Sequence, residues 1–451
     1  MKKLNSLIIV LIITITGIQA QELEQFSLLE AIAYAQRKSN SVRTAELDVA
    51  RAKADVQEYT SIGIPKLNAG VDYNYYVHIP TSLIPNDAFV IDIPGLNIPP
   101  PEPGYSETQF GTRNNLTLGV NLNTLVVDGS YFVGLKASKG LMEMTKRQAD
   151  LTKYDIKHVI VKAYLQVLIA EQSRDVLLQN IENIEKVIAE TRIFLENGMV
   201  EKLDLDRLEL SMLNLEVQIE MLERQIELAH NVLKFQMNYP LEGEIELMTK
   251  LEDVFTLPDA ADLEGKITSD RRIETDIMKQ TIRLNELNTK RFTMGYLPSL
   301  SAFAVHQQVL QRDDLFDGKQ PGFYPTTIIG LKLNVPIFDG FEKAAKIKKS
   351  RIDVEKFKLQ LDDLERGITL EVRNARAVYN NATKRLVNQD ENLALAERIL
   401  KTTRIKYREG VGSSIEMTQA EQELYRTQAN RLNALYELVV AKADLDKALG
   451  K

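Results

Sequence analysis

Cysteine is absent from the 451-residue chain, which excludes disulfides, thiolate metal sites, a cysteine nucleophile and a lipidated N-terminal cysteine. Histidine is nearly so: His78, His158, His230 and His306 lie more than 70 residues apart, so no short-range metal-ligand spacing exists. There is no basic excess, with 56 Lys and Arg against 63 Asp and Glu and a net charge of −7, the wrong sign for a nucleic-acid binder. Residues 148–239 and 341–451 contain no proline. With 44% hydrophobic and 26% charged residues the composition is that of a folded chain, not a disordered one. These absences leave little chemistry for an enzyme, and no cofactor or metal is expected.

What is present begins with residues 1–20. Lys2 and Lys3 precede an apolar run from Leu7 to Ile18, and Gln19-Ala20 ends it before a polar stretch. This is the pattern of a secretory signal peptide cut after Ala20. No later stretch approaches the roughly 18 consecutive apolar residues of a transmembrane helix. The exported chain is then either soluble or embedded in a membrane as a β-barrel.

Helical patterning dominates. Leu205, Leu208, Met212, Leu215, Ile219, Leu222, Ile226, Ala229 and Leu233 alternate at spacings of three and four, the signature of a coiled-coil seam. The stretch 340–407 predicts a helix roughly 100 Å long. At an offset of 211 to 212 the second half lies on the first: Val126-Val127-Asp128-Gly129 on Ile337-Phe338-Asp339-Gly340, and Asn197-Gly198 on Glu409-Gly410. The expected organisation is a first repeat over 21–245, with a helix, strands at about 66–78 and 114–127 and a helical hairpin over 130–239. A second repeat over 246–451 has a helix, strands at about 298–309 and 326–338 and a hairpin over 340–450. Ser27-Leu28-Leu29-Glu30 is a capping box for the first helix, and the two glycines supply the left-handed residue that ends each long helix.

The strands carry the functional information. Leu67, Ala69, Val71, Tyr73, Tyr75 and Val77 alternate with Asn68, Asp72, Asn74 and His78, and Leu116, Leu118, Val120 and Leu122 alternate with polar residues and glycine. Leu331, Leu333 and Val335 repeat the pattern. Aromatic residues stand at both ends: Tyr75, Tyr76, Phe110, Phe323 and Tyr324 at one, Tyr131, Phe132, Phe338 and Phe341 at the other. Such girdles suit a transmembrane barrel, while a periplasmic β-sandwich with one wet face shows the same alternation. Four strands cannot close a barrel and an open edge cannot face lipid, so the membrane reading requires several copies to pool their strands. Residues 79–113 hold seven of the fourteen prolines and read as an extended, exposed loop or linker without a core of its own.

Signal peptide, tandem repeat, the Val335-Pro336-Ile337-Phe338-Asp339-Gly340 junction and the Tyr407-Arg408-Glu409-Gly410 turn together resemble the TolC-like outer membrane efflux proteins. The resemblance covers essentially the whole exported chain. It implies a mainly α chain with transmembrane β: long coiled-coil hairpins in tandem repeat, plus four β-strands per protomer that pool into a 12-stranded barrel in a homotrimer. The barrel would sit in outer-membrane lipid, the helices would extend into the periplasm, and the partners would be a periplasmic adaptor and an inner-membrane transporter.

The resemblance also implies site residues. Gly198 and Asp204 stand at the family spacing of the first tip, and the tyrosine that bonds this aspartate aligns with Tyr407. The family's reinforcing arginine is replaced by Gly412 and its threonine partner by Leu203. The constricting acids align with Glu416 and Gln419, so half of that formal charge is missing. The turns Asn197-Gly198-Met199-Val200 and Gly410-Val411-Gly412 are the expected adaptor contacts. The implied function is the exit channel of a tripartite efflux pump or type I secretion system, a passive duct opened at its periplasmic tip. The alternative is the periplasmic coiled-coil adaptor of such a pump, which normally has one hairpin rather than two.

Overall fold

A computed structural model describes residues 24–86, 88, 103–251, 263, 265, 267–316 and 322–451. The expected signal peptide and the middle of the proline-rich loop, residues 87 and 89–102, lie outside the described residues. Seven helices of the described chain carry the argument: α1 (Leu28–Lys38), α2 (Asn40–Ser61), α3 (Gly129–Glu196), α4 (Lys202–Met237), α5 (Ile273–Met294), α6 (Glu342–Arg408) and α7 (Ser414–Leu449). The strands are β1 (Glu24–Phe26), β2 (Lys66–Tyr75), β3 (Thr81–Pro85), β4 (Tyr105–Gln109), β5 (Asn114–Val127), β6 (Ile245–Leu247), β7 (Ser299–Arg312) and β8 (Tyr324–Asn334). Among the described residues no helix is long and apolar enough to cross a membrane.

Both long hairpins form, with α3 of 68 residues before α4 and α6 of 67 before α7. The chain gathers into two compact units that cut across the sequence repeats. One comprises residues up to 49, 144–279 and 359–451; the other, 50–143 and 280–358.

In the helical unit the core is built from Phe26, Ile32 and Ala35, from Ile160, Tyr164 and Leu165 of α3, from Leu233 and Met237 of α4 and from Leu435 and Val439 of α7. Tyr164 is fully buried, and its polar end is satisfied: the hydroxyl donates to the carbonyl of Phe26 at 2.8 Å and accepts from the Thr249 amide at 3.3 Å. The same Phe26 segment pairs in parallel with β6. Ser27 caps α1 with the expected capping box, which Glu30 completes. Arg272, nearly inaccessible to solvent, binds Glu274 through two nitrogens at 3.0 and 2.7 Å, Glu371 at 3.1 Å and the carbonyl of Ala448 at 2.9 Å.

The other unit holds a four-stranded antiparallel sheet in the order β2-β5-β7-β8. Its strands differ from expectation at their ends. β2 stops at Tyr75, β7 runs on to Arg312 because it stays paired with β5, and β8 begins at Tyr324 and ends at Asn334. That last end has a plain cause: Pro336 has no N–H for the ladder and restricts Val335 before it. Part of the proline-rich region is also not a plain loop, since β3 and β4 pair as an antiparallel ladder from Thr81↔Gln109 to Pro85↔Tyr105.

Candidate functional site

The sheet register sorts its side chains onto two faces, because alternate residues of a strand point to opposite sides. Leu67, Ala69, Val71 and Tyr73 stand opposite Leu122, Val120, Leu118 and Leu116, and the same face continues through Ala302 and Ala304 to Ile329, Leu331 and Leu333. These large apolar residues are exposed: Val71 at 68%, Ile329 at 83% and Leu331 at 71%. The other face carries Asn68, Asp72 and Asn74 against Asn121, Thr117 and Asn115, then Gln307, Gln311, Thr326 and Lys332, interspersed on β7 and β8 with Phe303, Val305, Val309 and Ile328. Asn121 Oδ1 accepts from the side-chain amides of Asn68 and Asn123, each at 3.3 Å. A sheet with an exposed apolar face and an opposite face rich in hydrogen-bonding side chains, most of all along β2 and β5, is suited to separate lipid from water. The polar exceptions on the apolar face answer one another, His306 Nδ1 lying 2.8 Å from Thr327 Oγ1.

The second candidate region is the pair of hairpin turns in the helical unit. α3 ends in a Schellman motif: Gly198, at φ 72°, donates to Leu195 at 2.9 Å and Met199 donates to Phe194 at 2.8 Å. α6 ends in the same way, with Gly410 at φ 73° donating to Tyr407 at 3.1 Å and Val411 to Lys406 at 3.0 Å. Asn197, Met199, Gly410 and Val411 are exposed, and Val200 and Gly412 are partly covered.

Asp204 and Tyr407 do not make the direct bond that the resemblance implies. Asp204 is committed to its own helix start, where Oδ2 accepts the Glu201 amide at 3.2 Å, while Oδ1 accepts the Ser414 hydroxyl. The Tyr407 hydroxyl instead pairs with Thr191 Oγ1 of α3 at 3.1 Å, and both residues are buried. Burial pushes the Tyr407 hydroxyl above its ordinary pKa, the Thr191 bond opposes this, and the Asp204 charge adds to it. Next to it Arg408 grips Glu190 of α3 through two nitrogens. Thus α6 is fastened to α3, and α7 to α4. Gly412 has a steric reason: a Cβ there would sit 3.0 Å from the Tyr407 nitrogen, so the family arginine would require the turn to shift.

Glu416 lies in the first turn of α7, its amide donating to the Ser413 side chain at 3.2 Å, and its side chain and that of Gln419 are exposed. Thr191, Ser414, Glu190 and Arg408 are the partners that reading the sequence missed. Further along, α3, α4 and α7 line a groove of about 760 Å³ with Asn180, Asn214, Gln218, Gln225, Gln422 and Arg426 among its walls. No cluster that could hold a metal ion occurs among the described residues.

Long paired helices and a four-stranded sheet on one chain define the fold of the TolC-like channels. VceC of Vibrio cholerae, a solved outer membrane protein, matches with a TM-score of 0.70 and 14% identity over 94% of this chain and 96% of its own. Residues 294–451 match the family model described as outer membrane efflux protein. The chain is 20% identical over 302 residues to the protease secretion protein PrtF of Dickeya chrysanthemi, covering 66% of this chain and 64% of PrtF, less than two thirds of that relative. It is 19% identical over 342 residues to the outer membrane protein TolC of Vibrio cholerae, 74% of this chain and 76% of that one. The resemblance to the TolC-like outer membrane efflux proteins therefore stands, in the family match over residues 294–451 and in the fold along most of the chain.

Proposed function

We propose that the protein is the outer-membrane exit channel of a tripartite efflux pump or type I secretion system, with no chemistry of its own. The observation that carries this is the sheet: apolar and exposed on one face, amide-rich on the other, and open at both edges, β2 and β8. Such edges inside a membrane need partners, and three copies would pool 12 strands into a closed barrel. The polar face would then line water and the apolar face would meet outer-membrane lipid. The helices would extend the duct into the periplasm.

In this reading the two turns form the periplasmic gate. Asp204 and Tyr407 act through the fastenings to Ser414 and Thr191, and Glu416 and Gln419 line the constriction. The turns at Asn197–Val200 and Gly410–Gly412, with the groove lined by α3, α4 and α7, would receive the adaptor that links the channel to an inner-membrane transporter. The adaptor alternative has less support, since the fold likeness is to channels and both long hairpins are present in tandem.

The test uses the cysteine-free background. A single cysteine replacing Glu107 of β4 is exposed to a membrane-impermeant maleimide on intact cells, with Lys202→Cys as the periplasmic control. Labelling of the first without the second is expected. Labelling of both only after the outer membrane is permeabilised would favour the adaptor.

A further inference from the structure

Glu421 of α7 is 2% exposed, and its Oε2 has no hydrogen-bond partner. Among the described residues, three of the four buried side-chain polar atoms without a partner belong to Glu421, to Thr418 three residues before it and to Arg404 of α6. The flanking Met417 and Tyr425 pack on Ile184, Val187 and Ile188 of α3 and on Leu205, Leu208 and Leu215 of α4. The Tyr425 hydroxyl donates to the Asn180 carbonyl at 3.3 Å. The charged and titratable groups that act on this position are Arg404 from α6 and Tyr425 from α7 itself. A carboxylate held there without its hydrogen bonds is costly, whereas the neutral acid is not.

We propose that Glu421 is a proton-responsive joint in the α6–α7 hairpin: neutral, it lets the two helices close around it, and ionised, it draws in water and loosens the hairpin that ends at Gly410. Burial holds the carboxyl up at about 7, with Arg404 opposing. A carboxyl raised in the closed state binds its proton more tightly there than when solvated. The closed packing is therefore firm below the ordinary carboxyl range near 4.5 and weakens as pH rises to about 7, with no further loss above it. The packing effect stands on the helices alone; any effect on conductance rests on the channel reading above.

The experiment is hydrogen exchange of the purified full-length protein from pH 5 to pH 8, corrected for intrinsic exchange and followed in peptides covering 400–425. Local opening should rise on the order of tens of fold from pH 5 as pH approaches 7 and then level off. Glu421→Gln, a neutral isostere of the protonated acid, should give a flat profile. Arg404→Gln, which removes the opposing charge, should carry the plateau to higher pH. A flat wild-type profile, or the same slope in Glu421→Gln, would overturn the proposal. Conductance in planar bilayers is recorded separately, so that a protein forming no pores would count against the channel reading while the exchange profiles still judge the joint.

Discussion

Ser414 donates its hydroxyl proton to Oδ1 of Asp204, tying the first turn of α7 to the first turn of α4. The carboxylate is shared, since its other oxygen caps its own helix. This leaves Tyr407 to find another partner in Thr191. The turn region is thus held on two sides, to α3 through Tyr407 and Arg408 and to α4 through Ser414, and each bond can be cut alone.

Asp204→Ala should strand the buried Ser414 hydroxyl and uncap α4, at a cost of about 1–3 kcal/mol. Tyr407→Phe should cost about 1 kcal/mol, because it leaves only Thr191 unpaired. Both variants should show a larger resting conductance in planar bilayers than the wild type, and the double variant a larger one still. Equal conductance in all three would deny the fastenings a role in closing the pore.

Gly198→Ala and Gly410→Ala should each destabilise by roughly 1–2 kcal/mol, the penalty of a side chain in the left-handed region. Nothing lies within 4 Å of either added Cβ, so the cost is that of the backbone alone. Replacement by asparagine should recover part of it. Denaturant midpoints of the four variants measure this.

Arg272→Ala should be among the most damaging single substitutions, at about 3–5 kcal/mol, since it removes a buried guanidinium and abandons Glu274, Glu371 and the end of α7. Thermal unfolding reports it. A loss below about 1 kcal/mol would mean that water takes over the network.

Leu118→Arg, on the apolar face, should cost about 2–4 kcal/mol and reduce insertion into the outer membrane. Asn121→Arg, on the opposite face, should insert normally and shift ion selectivity toward anions. Heat-modifiable gel mobility and reversal potentials separate the two; equal insertion defects would show that the faces are not lipid and water.

Much of this fold is legible because amphipathic elements imprint their period. β5 occupies the 114–127 interval read from alternation, and both helix-ending glycines are visible as Asn-Gly and Glu-Gly. The three-residue strands β1 and β6 are too short to carry a period, and β3 and β4 are masked by neighbouring prolines. The break between α1 and α2 at Ser39 involves neither glycine nor proline. At the turns, Asp204 and Tyr407 stand out only by resemblance, and their partners depend on which helices lie side by side. One signal was readable: Thr191 continues the Ile184, Val187 and Ile188 spacing of α3, and Glu421 sits one turn after Met417 of α7, polar groups placed on otherwise apolar seams.

The order β2-β5-β7-β8 puts a strand of the first repeat at one edge of the sheet and a strand of the second at the other. Copies that all point the same way through a bilayer can then join only head to tail, β8 of one against β2 of the next, which keeps the up-and-down alternation unbroken across the seam. Such a contact is never self-complementary, so two copies joined at a single seam still leave one β2 and one β8 free, and growth stops only when the ring closes on its first member. Duplication within one chain thus supplies polarity to the assembly, and curvature alone decides how many copies it takes.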